Sequence, residues 1–159
     1  AHGAEGACKT MKGELNGGCL CGAVRYTLRD GFRLNPYACH CTDCQSRTGS
    51  AFSEHMLFAI ADLGITGELD VGEYDQPSGA HSRIFGCAKC KARIYAVNDS
   101  RDGLASLRCG TLDDSASFVP AAHLWVKSKQ PWIGLPTDAK AMDEQPRTSE
   151  EWIAFGGIA

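Results

Sequence analysis

Val24, Tyr26 and Leu28 alternate with Arg25 and Thr27, so residues 23–28 predict a half-buried strand with a period of two. Ser53 to Ile60 is a denser apolar run; its length and bounding turns favour a strand over a helix. Leu63 to Thr66 and Leu69 to Tyr74 predict two short strands interrupted by Gly64, Gly67 and Gly72, and Asp75 to Gly79 has the composition of a loop. Ser82 to Gly86 and Ala92 to Val97 predict strands on either side of a turn, and Leu104 to Arg108 and His123 to Lys127 add two more, with the polar stretch Thr111 to Ala116 between them. Helical signals are brief. Thr42 and Gln45 stand in capping-box register before a short helix from Asp43 to Gly49, and Thr148 and Glu151 do the same before Trp152-Ile153-Ala154-Phe155. The pattern is that of a mainly β chain.

Hydrophobic residues make up 43% of the chain and charged ones 22%, an ordinary balance for a globular protein. No apolar run approaches the roughly 18 residues of a membrane helix. The formal charge of −3 gives no basis for gripping a phosphate backbone, so neither nucleic acid nor membrane is an expected partner. The 159 residues predict one domain over 11–159, preceded by an extension or cloning remnant over 1–10 with no hydrophobic period. Met11 is then the expected natural start, and Cys8 is incidental.

The nine cysteines change this bland picture. Their number is odd, and seven of them cluster at C-x-C and C-x-x-C spacing, which suits metal binding in a reducing cytoplasm better than a disulfide framework. Cys19-Leu20-Cys21 sits on a turn entering the first predicted strand, and Cys87-Ala88-Lys89-Cys90 forms a knuckle between two others. Neither arm alone completes a tetrahedron, whereas together they make a closed shell of four cysteines, the usual form of a structural zinc. An iron–sulfur cluster is the competing occupant, although the spacings do not follow a ferredoxin run.

Cys39-His40-Cys41-Thr42-Asp43-Cys44 supplies three more sulfurs at C-x-C-x-x-C spacing. A short turn brings these onto a common point about 2.3 Å from a zinc ion, and Cys44 falls in a helix first turn, where free N–H groups favour a thiolate. Four ligands and three ligands imply two zinc ions, one of them unsaturated. An unsaturated zinc can take a substrate thiolate, bind water or polarise a carbonyl. Cys109 is the alternative fourth ligand; otherwise it is a small buried residue.

His40, between two ligands, is expected to point away from the metal and to play a supporting or surface role. His123 and, more weakly, His55 are candidate bases, with structural histidines as the plainer reading. Ser46 and Arg47 follow Cys44 on the short helix, and Arg47 either holds a substrate carboxylate or lies on a solvated face. Trp125 and Trp132 line a pocket or simply pack.

With these residues in view, the chain resembles the glutathione-dependent formaldehyde-activating enzyme family, which includes the centromere protein V domain. The matching motifs are Gly18-Cys19-x-Cys21-Gly22-x-Val24-Arg25-Tyr26, Cys39-His40-Cys41-x-x-Cys44 with Gly49, Cys87-x-x-Cys90, Gly110-Thr111-Leu112-Asp113, and His123 with Lys127 and Trp132. Lys91 stands after Cys90 where the family usually has glycine. The resemblance implies a zinc-bound β-tent of small antiparallel sheets with short helices. It also implies a structural zinc on Cys19, Cys21, Cys87 and Cys90 and a catalytic one on Cys39, Cys41 and Cys44. The implied activity is that of a carbon–sulfur lyase joining glutathione to formaldehyde as S-(hydroxymethyl)glutathione. Two alternatives stay open, namely a zinc enzyme acting on another thiol or carbonyl substrate and a non-catalytic zinc module that binds a protein partner.

Overall fold

The apolar run at Ser53 to Ile60 is dense because its strand is covered on both faces. In the computed structural model, which describes residues 12–76 and 78–159, this strand is β4 (Ser53–Ala59). Its Met56 and Phe58 enter one buried cluster while Leu57 enters another, as alternation on a pleated strand requires. The expected extension over 1–10, with Cys8 and the proposed start at Met11, lies outside the described residues.

The strands before β4 are β1 (Leu15–Gly18), β2 (Arg25–Leu28) and β3 (Tyr37–Cys39). Those after it are β5 (Leu63–Thr66), β6 (Leu69–Asp75), β7 (His81–Cys87), β8 (Arg93–Asn98), β9 (Leu104–Arg108), β10 (Ala122–Leu124) and β11 (Lys140–Met142). Two helices, α1 (Thr42–Thr48) and α2 (Ser149–Gly156), complete the set. The fold is mainly β, as the sequence pattern predicts. It consists of a three-stranded antiparallel sheet, β1-β2-β5, and an eight-stranded sheet in the order β11-β10-β3-β4-β9-β8-β7-β6. The larger sheet is mixed, because β10 pairs in parallel with both β3 and β11.

Val24 just before β2, and Tyr26 and Leu28 within it, are buried with Met56, Phe58, Ile94 and Leu107 of the large sheet. This is the side to which the period-two pattern at 23–28 turns its apolar residues. On the other side Tyr37, Leu57, Leu124 and Trp152 form the second cluster, where the apolar face of α2 covers the sheet. At the start of α2 the Thr148 Oγ1 accepts from the Glu151 N–H at 3.2 Å, so the capping signal there is real.

Two local expectations are corrected. The cap of α1 is Cys41 rather than Thr42, because the Cys41 sulfur accepts from the Cys44 N–H at 3.3 Å and takes the role a hydroxyl would have had. The helix does stop at Gly49, whose left-handed backbone (φ 65°) closes it. The strand expected over 123–127 ends at Leu124, because Trp125 adopts a left-handed conformation (φ 58°) and a 3-10 turn over Val126–Ser128 follows.

Candidate metal centres

The first cysteine group is assembled by two turns. Cys19 and Cys21 lie between β1 and β2, where the Cys19 N–H donates to the Val24 carbonyl at 3.0 Å and the Val24 N–H donates back to the Cys19 sulfur at 3.2 Å. Cys87 and Cys90 bracket the turn from β7 to β8, where the Lys91 N–H donates to the Cys87 carbonyl at 2.9 Å and the Cys90 N–H to the Cys87 sulfur at 3.4 Å. This turn needs a positive φ, and Lys91 supplies it at 63° without being glycine. Its ammonium is paired with Asp70 on β6.

The four sulfurs lie within 4.8 Å of one another. The Cys21 sulfur is 3.6 Å from that of Cys19 and 3.8 Å from that of Cys87. The edge of a tetrahedron with 2.3 Å zinc–sulfur bonds is about 3.8 Å, while a disulfide would require about 2.05 Å. The donor set therefore fits a tetrahedral zinc. Burial pushes the Cys19 thiol up, yet the Val24 N–H and the neighbouring thiols bring it down to about 6; Cys90 is lowered chiefly by the Ala92 N–H.

The second group is more local. Cys39 ends β3, Cys41 caps α1 and Cys44 lies in its first turn, and their three sulfurs also fall within 4.8 Å of one another. Hydrogen bonding from Cys39 and then Cys44 pushes Cys41 down to about 2, while the same contacts, with Cys41 first, push Cys39 up. One thiolate thus holds its neighbours protonated, and a cation is what allows all three to ionise. Among the described residues no fourth histidine, cysteine or carboxylate joins this group. Cys109 is buried in the core with Met56, Leu107 and Leu112, its thiol pushed up by burial.

The backbone between the trio's cysteines is pinned. The His40 N–H donates to the Leu124 carbonyl at 2.9 Å, and the His40 carbonyl accepts from Gln45 Nε2 at 2.8 Å and from Ser128 Oγ at 3.0 Å. His40 is fully buried rather than at the surface, and its ring meets that of His123. His55 is buried as well, with Nε2 3.8 Å from the Cys44 sulfur, its ring stacked on Tyr37 and engaged by the Arg108 guanidinium. Burial first, and then Arg108 and Arg101, push its pKa well down.

Arg47 stacks its guanidinium over the Tyr74 ring at 3.5 Å and borders a cavity of about 420 Å3, whereas Ser46 is exposed. Trp132 is 76% exposed and lines nothing among the described cavities. Trp125 is partly buried against the second cluster and donates to Gln145 Oε1 at 3.1 Å. Sequence reasoning missed Glu54, Arg93 and Arg108, which join Arg47 around the cavity. Only the register of β4, β8 and β9 brings them there, and no local motif marks them.

Against known proteins, the profile of the family described as "Glutathione-dependent formaldehyde-activating enzyme" matches residues 14–128. A crystal structure of a Rhodobacter sphaeroides protein is similar at 17% sequence identity and a TM-score of 0.49, covering 62% of this chain and 88% of that one. A search of curated proteins returns no match.

Proposed function

The chain belongs to the glutathione-dependent formaldehyde-activating enzyme family, and on that basis we propose that it joins glutathione to formaldehyde, giving S-(hydroxymethyl)glutathione. This is a carbon–sulfur lyase reaction run in the direction of synthesis. The observation that carries the reading is the division of seven cysteines into a group of four and a group of three. Cys19, Cys21, Cys87 and Cys90 would hold a closed structural zinc, and Cys39, Cys41 and Cys44 a second, unsaturated one. Bound at the trio, zinc would supply the positive charge that favours the thiolate form of a substrate thiol.

In the reaction the thiol sulfur bonds to the aldehyde carbon, the carbonyl π bond opens, and the thiol proton ends on the new hydroxyl oxygen. The chain's own contribution is position. The strand end at Cys39 and the first helical turn at Cys44 bring three sulfurs within 4.8 Å of one another. Confining two reactants there replaces a bimolecular encounter with proximity. The eight free cysteines among the described residues suit a reducing compartment, and we place the activity in the cytoplasm. No helix of the described residues is long and apolar enough to cross a membrane.

The test is formaldehyde consumption in the presence of glutathione, followed with increasing amounts of zinc-replete protein. A rate proportional to enzyme above the spontaneous reaction is expected. A rate equal to the spontaneous one would favour another thiol or carbonyl substrate, or a non-catalytic module.

A further inference from the structure

The cavity of about 420 Å3 takes its walls from the elements that carry both cysteine groups. Arg47 lies on α1 beyond Cys44, Arg108 ends β9 in register with His55, and Lys91 and Arg93 follow the Cys87–Cys90 turn. A smaller adjoining cavity of about 190 Å3 shares Arg47, Lys91 and Arg93. Its acidic residues are already engaged, Asp70 by Lys91 and Glu73 by His81.

The three arginines are incompletely satisfied. Arg47 Nε, Arg93 Nη1 and Arg108 Nε are buried without a hydrogen-bond partner, and none of the three guanidiniums forms a salt bridge among the described residues. Buried donors on cationic groups are costly when left unpaired, and a guanidinium fork matches a carboxylate better than any neutral acceptor. Glu54, the one carboxyl in the wall of the larger cavity, also has a buried oxygen without a partner. In its ionised form it admits a monoanionic group more readily than a dianion such as phosphate.

We propose that this cavity is an anion subsite in which Arg47, Arg93 and Arg108 hold a carboxylate of the substrate, so that the protein selects carboxylate-bearing thiols over neutral or cationic ones. The selection of thiols rests on the function proposed above; the binding of a carboxylate does not. The cavity size lies within the range of small-molecule sites, and Arg47 and Thr48 of its wall lie one turn beyond Cys44 on the same helix.

Two measurements on zinc-replete protein test this. In the first, calorimetric titration with glutarate, a sulfur-free dicarboxylate, is expected to saturate, to weaken with salt, and to weaken about tenfold or more in Arg47→Gln and in Arg93→Gln at unchanged zinc content and melting temperature. Absence of saturable binding, binding by both variants as tight as by wild type, or tighter binding of inorganic phosphate than of glutarate would overturn the subsite. So would variants whose only defect is lost zinc, because the arginines would then serve the thiolates alone. In the second, initial rates with formaldehyde are compared for 3-mercaptopropionate, 2-mercaptoethanol and cysteamine. The carboxylated thiol is expected to react best, with Arg93→Gln raising its KM about tenfold and leaving that of 2-mercaptoethanol unchanged. Equal use of the three thiols overturns the subsite while leaving the reaction standing. Arginine-dependent glutarate binding without turnover of any thiol supports the subsite and removes the reaction.

Discussion

His40 Nε2 lies 3.1 Å from His123 Nδ1, just beyond the last pair of the parallel β3–β10 pairing, Cys39 with Leu124. One ring must donate and the other accept, so each fixes the tautomer of its partner. The contact adds to the backbone bonds that hold His40, and with it the segment between Cys39 and Cys41. His123→Ala leaves the His40 Nε2 without its partner while His40 Nδ1 already has none. The expected cost is about 1–2 kcal/mol, seen as a lower urea midpoint with an unchanged m-value. An unchanged midpoint would show that water replaces the His123 ring without loss.

Lys91 holds a left-handed backbone that a side chain adopts at a cost of roughly 1–2 kcal/mol relative to glycine. Glycine in turn loses more freedom on folding, and the exposed Lys91–Asp70 pair adds little. Lys91→Gly is therefore expected to be more stable than Lys91→Ala by about 1 kcal/mol. Both lack the ion pair, so their comparison isolates the backbone. Thermal unfolding of the two side by side decides it, and equal midpoints would mean that the turn relaxes away from positive φ.

Burial raises the Glu54 carboxyl from 4.5 to about 7. A raised acid stabilises the folded protein below its unfolded pKa, and that stabilisation is lost as pH rises from about 4.5 through about 7, because the folded state binds the extra proton. Glu54→Gln removes the penalty of ionising there. With the side chain only half-buried, the gain relative to wild type is expected to be about 1 kcal/mol at pH 8 and near zero at pH 5. Subtracting the two proteins' stabilities at each pH cancels the titration of the two cysteine groups. A difference independent of pH would show that the arginines of the cavity hold Glu54 ionised.

The two cysteine pairs and the trio that the structure groups were legible in the sequence because each is set by spacing within a single turn. Whatever depends on tertiary register was not. β3 and β11 are three residues each, too short for any period to show, and β1 contains two glycines and an asparagine. The cap of α1 could not be read off at Cys41 because a sulfur acceptor leaves no mark in capping-residue statistics, and geometry favours it there over the Thr42 hydroxyl. The eight-stranded extent of the large sheet follows from the parallel return of β10 beside β3, a long-range pairing with no local signature. Arg93 and Arg108 read as ordinary strand ends until β8 and β9 place them on one cavity with Arg47.

The two cysteine groups should fail differently when one sulfur is removed. Cys87 and Cys90 sit at the turn from β7 to β8 and Cys19 and Cys21 at the turn from β1 to β2, and a zinc shared by the four would tie the small sheet to the large one. Structural zinc binding is itself folding free energy, about 10 kcal/mol or more in small zinc peptides. Cys90→Ser is therefore expected to lose about one zinc per chain and to unfold or aggregate. Cys39, Cys41 and Cys44 come from one strand end and the helix beside it, already pinned by His40, Gln45 and Ser128. Less of the fold depends on a metal there, so Cys44→Ser is expected to lose about one zinc and its turnover while keeping most of its thermal stability. Elemental analysis, thermal unfolding and the formaldehyde assay on both purified variants and wild type make the comparison, with about two zinc ions expected in the parent. If Cys44→Ser collapses as fully as Cys90→Ser, or keeps full activity, the assignment of one structural and one catalytic site falls.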